Sequence, residues 1–123
     1  MTDVRKLLGT QAERVAEQYL QKQGYRILER NLRTLRGELD LVALHGESLV
    51  FCEVKSRQGE GELDPGLSLH RRKQARLVRL AAAYLQRHPA HAERLCRFDA
   101  VLVWKNGPSW RVELIADAFR PGW

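Results

Sequence analysis

Cysteine is nearly absent: Cys52 and Cys96 are the only two in 123 residues. So scattered a pair supplies neither a disulfide framework nor the ligand spacing of a zinc site. Cys52, inside an apolar run, reads instead as a small buried hydrophobe. Long apolar runs are missing too. Nothing approaches the roughly 20 residues a helix needs to cross a bilayer. Met1-Thr2-Asp3-Val4-Arg5-Lys6 has no apolar stretch of the secretory kind. The expectation is a cytoplasmic protein with no membrane partner. His45, His70, His88 and His91 show no metal-ligand spacing. There is no repeat, low-complexity tract or linker, so residues 1–123 read as one domain.

Lysine is scarce as well, and here the scarcity is informative. Only Lys6, Lys22, Lys55, Lys73 and Lys105 are lysines among 21 basic residues. The rest are arginines, whose planar fork suits bidentate phosphate contacts. With a net charge of +6, this points to a polyanion, nucleic acid first and DNA before RNA. Hydrophobic content of 44% against 29% charged suits a globular chain with a modest core.

Thr10-Gln11-Ala12-Glu13 has the form of a capping box, which predicts a helix start at Thr10 with Glu13 as its N3 residue. Ala12, Val15, Ala16, Tyr19 and Leu20 follow at helical spacing, and Gly24 is placed to stop the helix. Tyr25 to Leu32, Leu39 to Leu44 and Leu49 to Lys55 read as strands. Gln58 to Gly66 reads as loop. A second helix runs from about Leu69 to Arg87, with Pro89 just beyond it. Its stripe is Leu77, Leu80, Ala81, Tyr84 and Leu85, with Arg72, Arg76 and Arg79 roughly opposite. His70, Lys73 and Gln74 fall on the apolar side, one turn earlier. Phe98 to Trp104 and Trp110 to Ile115 are the last strands. The order is α-β-β-β-α-β-β. Both faces of the central hairpin carry apolar residues: Val42, Leu44, Leu49 and Phe51 on one, and Leu39, Leu41, Val50, Cys52 and Val54 on the other. A helix should therefore cover each face of the sheet.

The most informative stretch is Gly37-Glu38-Leu39-Asp40 followed by Phe51-Cys52-Glu53-Val54-Lys55. Asp, Glu and Lys are poor strand formers, and a charge among apolar neighbours must be paired or bind a metal. A four-residue turn, His45-Gly46-Glu47-Ser48, would set Leu44 opposite Leu49, Asp40 opposite Glu53 and Glu38 opposite Lys55. Asp40, Glu53 and Lys55 would then share one face. Two facing carboxylates repel, and Mg²⁺ or Mn²⁺ would supply the missing positive charge through hard oxygen ligands.

This order, with Asp40 thirteen residues before Glu53-Val54-Lys55, resembles the restriction-endonuclease-like α/β fold, a mixed central sheet with a helix on each face. More closely, the chain resembles the YraN-like family of small bacterial proteins, predicted endonucleases distantly similar to archaeal Holliday-junction resolvases. The resemblance rests on Gly9-Thr10-Gln11-Ala12-Glu13, Gly24-Tyr25-Arg26-Ile27-Leu28-Glu29-Arg30-Asn31, Gly37-Glu38-Leu39-Asp40-Leu41-Val42-Ala43, Phe51-Cys52-Glu53-Val54-Lys55-Ser56-Arg57, Ala83-Tyr84-Leu85 and Arg97-Phe98-Asp99, in that order along the chain. It implies Asp40 and Glu53 as metal ligands, with the Val54 carbonyl completing the set. It implies Lys55 as the group that positions the attacking water and stabilises charge on phosphate. Glu13 matches an acidic residue of the first helix that helps hold metal or water, and Lys73 and Gln74 match helix-two positions that approach the site. Leu39 stands before Asp40 where the general signature has proline, as in the YraN-like pattern.

Two functions follow from different classes. One is a Mg²⁺- or Mn²⁺-dependent endonuclease on nucleic acid, branched or junction DNA included. Arg33, Arg36 and Arg57 in loops and Arg72, Lys73 and Arg76 on the second helix would then contact phosphate. The other is a nucleic-acid-binding module that keeps the fold without cleaving, the three charges serving as a hairpin-end salt-bridge cluster. A junction resolvase would also need two copies about a two-fold axis, so a homodimer is compatible with the first reading.

Overall fold

The computed structural model describes residues 4–63 and 70–121. The first helix, α1 (Val4–Lys22), starts six residues before the expected cap. Lys6, Leu7 and Leu8 are good helix formers, and the lone Gly9 costs only about 1 kcal/mol, so the helix runs through. Thr10 therefore lies mid-helix. Its hydroxyl donates back to the Lys6 carbonyl at 3.0 Å, as threonine does inside helices. The capping-box reading is thus corrected: Glu13 is not an N3 cap. Ala12, Ala16 and Leu20, spaced four apart, are fully buried. Gly24, at φ +90°, ends the helix as expected, in a conformation that glycine adopts without a side-chain clash.

The strands are β1 (Tyr25–Thr34), β2 (Gly37–His45), β3 (Ser48–Gln58), β4 (Cys96–Asn106) and β5 (Ser109–Phe119), with α2 (Arg71–Arg87) and a short 3₁₀ turn (Pro89–His91) before β4. They lie side by side in chain order in one sheet. All neighbours are antiparallel except β3 and β4, which are parallel. A parallel pair needs a long crossover, and α2 provides it. The α/β order and mixed sheet are those expected from the sequence. Leu69, the expected helix start, lies outside the described residues, as does part of the Gln58–Gly66 loop.

Each face has its own core. Ala12, Ala16 and Leu20 of α1 pack with Leu41, Ala43, Val50, Cys52, Val101 and Val103. Leu77, Leu80, Ala81 and Tyr84 of α2 pack with Leu39, Val42, Leu49, Phe51 and Phe98. One assignment is corrected here: Leu39 belongs to the α2 side, not with Leu41. Alternation along β2 breaks at Asp40. Opposite that break, between the pairs Arg30↔Leu41 and Leu32↔Leu39, Asn31 takes φ +48°, a left-handed conformation that asparagine tolerates better than most side chains. The local kink turns Leu39 onto the α2 face.

A buried polar cluster ties β1, β4 and β5 together, one strand over from the central hairpin, with Asp99 level with Cys52. Asp99, fully buried, accepts from Arg97 at 2.9 Å through both carboxylate oxygens, from the Tyr25 hydroxyl at 2.7 Å, and from the Asp117 backbone N–H at 2.9 Å. The last bond spans the irregularity between Phe98 and Ala100 in the β4–β5 ladder. Tyr25 stacks on His45 at 4.2 Å. Burial and the Asp99 carboxylate push the Tyr25 phenol above its ordinary range, so it stays a neutral donor.

Candidate active site

The β2–β3 pairing has the expected register, with Leu44 opposite Leu49. The hairpin closes more tightly than expected, since His45 and Ser48 still pair and only Gly46 and Glu47 form the tip. Extending the register brings Asp40 level with Glu53. The ladder, however, stops one step short, at Leu41↔Cys52. Asp40 replaces the next ladder bond with its side chain, its Oδ2 accepting the Val54 N–H at 2.8 Å. Beyond that point β3 continues with β4, pairing Glu53 with Ala100 and Lys55 with Leu102. β2 continues with β1, pairing Glu38 with Arg33. The expected Glu38–Lys55 pairing is therefore replaced by a fork between the two strands.

The fork opens a cavity of about 240 Å³ lined by Glu38, Asp40, Cys52, Glu53, Arg76 and Leu77. Glu53 follows Phe51 on the α2 face, and its Oε1 forms an ion pair with the Lys73 ammonium. Its Oε2 is buried with no hydrogen-bond partner among the described residues. A buried carboxylate oxygen without a donor carries a desolvation cost, so this atom is free to accept a ligand. The Asp40 carboxyl is pushed up to about 6, chiefly by burial and further by the negative charges of Glu53, Glu13 and Glu38, against the Val54 hydrogen bond that favours the anion. Glu13 reaches the same field from α1. Its carboxyl is raised by burial and by Glu38, and a hydrogen bond from the Asn31 side chain acts the other way. Burial also raises the Cys52 thiol well above its ordinary range, so Cys52 is an inert part of the wall.

Of the expected residues, Asp40 and Glu53 line this cavity, and Glu13 lies within their electrostatic reach. Among the described residues no three carboxylates, imidazoles or thiols converge tightly enough to cage an ion. Any ion here would rest on two carboxylates and a backbone oxygen, the set the resemblance implies, and the unpartnered Glu53 oxygen fits such a hard cation. Lys73 turns inward onto Glu53, as its place on the helix predicted. Lys55, two residues past Glu53 on the same strand face, is half-buried. Gln74 is half-buried beside Lys73. Neither Lys55 nor Gln74 lines the cavity itself.

The arginines divide. Arg76 is not opposite the apolar stripe. It sits four residues before Leu80, on the same side, and its stem runs past Gly37 into the cavity wall. A Cβ on Gly37 would meet both Arg76 Cδ and Leu80 Cδ1 at 3.4 Å, an ordinary contact, and it is the φ of +145° that favours glycine at this position. Arg57 is turned away: its guanidinium donates to the Glu62 carbonyl at 3.2 Å and packs against Gly61. Arg33, Arg36 and Arg72 are exposed. Sequence reasoning gave no role to Asn31, whose side chain hydrogen-bonds Glu13. Its signal was an asparagine, a poor strand former, in the middle of a strand.

A mixed five-stranded sheet flanked by two helices, with an Asp and a Glu-x-Lys where the central hairpin forks, matches the restriction-endonuclease-like α/β architecture implied by the sequence. Residues 12–103 match the model of the uncharacterised protein family UPF0102, and the chain belongs to that family. It is 49% identical over 118 residues to a UPF0102 protein of Magnetococcus marinus, covering 96% of this chain and 95% of the relative. It is 50% identical over 114 residues to one from Frankia casuarinae, covering 91% and 95%. Over 121 residues it is 47% identical to one from Moorella thermoacetica, covering 97% and 100%. The YraN-like resemblance read from the motifs is to this same family.

Proposed function

We propose that this protein is a metal-dependent endonuclease that hydrolyses phosphodiester bonds in nucleic acid, DNA before RNA, with branched DNA among its substrates. The observation that carries the reading is the buried, unpartnered Oε2 of Glu53 at a fork whose other wall is Asp40. Asp40, Glu53 and the Val54 carbonyl would hold Mg²⁺ or Mn²⁺. When bound, such an ion polarises the phosphodiester and lowers the pKa of water. The chain's own residues do the rest. Lys55 is the donor that orients water and meets charge developing on the phosphate. Glu13, kept in place by Asn31, accepts a proton or a water. Arg76 places a cation at the cavity wall to receive the phosphate next to the scissile one, and Gln74 is a further polar group at the start of α2.

A second reading, a nucleic-acid-binding module that does not cleave, is favoured by one observation: Lys73 already neutralises Glu53 without a metal. A cleavage assay separates the two. Linear, flap and four-way DNAs and an RNA are incubated with Mg²⁺ or Mn²⁺, beside Asp40→Ala. Cutting that depends on both metal and Asp40 supports the nuclease. Binding without cutting by any substrate–metal combination supports the module.

A further inference from the structure

On the α2 side, away from the carboxylates, a groove of about 670 Å³ runs between the β1–β2 hairpin and α2. Its polar rim includes Arg33 and Arg36 from the hairpin and Arg79 and Arg87 from the helix, and among the described residues no Asp or Glu lines it. Arg79 and Arg87 are eight residues apart with Ala83 between them, so they stand on one helix face two turns apart. Among the described residues Glu38 pairs with Arg33 at 3.8 Å, both partly open to solvent, and the charge of Glu29 reaches Tyr84 in the groove wall. Four arginines against the two carboxylates near its edge leave the groove net positive, the charge complement of a polyanion backbone.

At its mouth is Leu35, fully exposed. A lone exposed leucine is ordinary, but this one is held out by a built tip. Only Leu35 and Arg36 lie outside the ladder, which closes at Thr34↔Gly37. The Thr34 hydroxyl donates to the Gly37 carbonyl at 2.9 Å and accepts the Arg36 N–H at 3.1 Å. Apolar side chains inserted between base steps are what proteins use to unstack DNA, and Leu35 is such a side chain on a hydrogen-bonded tip that also carries Arg33 and Arg36. Leu35 lies only five residues from Asp40, at most about 17 Å at about 3.3 Å per residue, so one substrate can occupy both.

We propose that this groove takes the sugar-phosphate backbone of branched nucleic acid, and that Leu35 wedges between bases at the branch. This rests on the nucleic-acid reading above and names the substrate feature that it recognises. The test reads stacking and binding with no cleavage. Forked and linear DNA carrying 2-aminopurine at the branch position are titrated with the protein in EDTA. The wild type should raise the fluorescence of the fork and not of the linear duplex. Leu35→Ser should abolish that rise while Kd stays within a few-fold. Arg79→Ala with Arg87→Ala should lower the salt slope of binding by about two and weaken binding roughly tenfold. An equal fluorescence rise with Leu35→Ser, or an unchanged salt slope in the double variant, would overturn the proposal, as would failure of the wild type to bind the fork. The two readings fail separately. Unstacking without cleavage in Mg²⁺ or Mn²⁺ sinks only the nuclease. Cleavage with normal Kd in the double arginine variant sinks only the groove.

Discussion

Replacing Asp40 by Asn should leave the metal-free protein more stable at neutral pH, and only above a particular pH. In the folded chain burial and three neighbouring carboxylates raise the Asp40 carboxyl from an ordinary 3.8 to about 6. Each tenfold change in proton affinity is about 1.4 kcal/mol, so the folded state carries a penalty of about 3 kcal/mol once Asp40 is ionised. The sign is that of a raised group. The stabilising protonation is complete below the unfolded value of 3.8 and is lost as pH rises through about 6. Asparagine does not titrate and keeps an oxygen to accept the Val54 N–H. The difference in unfolding free energy between Asp40→Asn and wild type should therefore move in favour of Asn by 1–3 kcal/mol, about the size derived above, between pH 4 and pH 7. Urea unfolding of both proteins in EDTA, at half-unit pH steps, measures it. Parallel stability curves across that window would refute the reasoning, because they would mean that Asp40 is solvated and uncrowded.

Mg²⁺ should reverse the penalty: at a hundred times its Kd it should stabilise the wild type by about 2.7 kcal/mol. Asp40→Asn should lose most of that gain, and equal thermal shifts in the two proteins would remove the proposed metal site. Lys55→Ala should cut the cleavage rate by about a hundredfold or more, as loss of a transition-state donor does, with Kd for DNA within a few-fold; equal losses of both would contradict its role. In the buried cluster on β4, Asp99→Asn strands the Arg97 guanidinium and should cost about 3 kcal/mol, the low end for a broken buried pair because Arg97 keeps some access to water. A loss below the precision of urea unfolding would show that the cluster carries no net stabilisation.

The sequence by itself determined the element order, the two-sided sheet and the Leu44↔Leu49 register, because these follow from short-range rules: alternation by two along strands, recurrence by three and four along helices, and glycine at turns. From the register alone, Asp40 and Glu53 could be set level. The capping box was misread for the same reason, since a local motif cannot reveal that a helix begins six residues earlier and runs through it. What only the tertiary structure decided is where the hairpin stops pairing. β3 stays with β4 and β2 with β1, so the ladder opens at Asp40, Leu39 swings to the α2 face and Asn31 turns to hold Glu13. That choice belongs to the competition among four strands and two helices for the same backbone bonds, and no window of local sequence contains it. The same competition sends Lys73 onto Glu53 and Arg57 onto Glu62, separating two cations that a linear reading placed in one role.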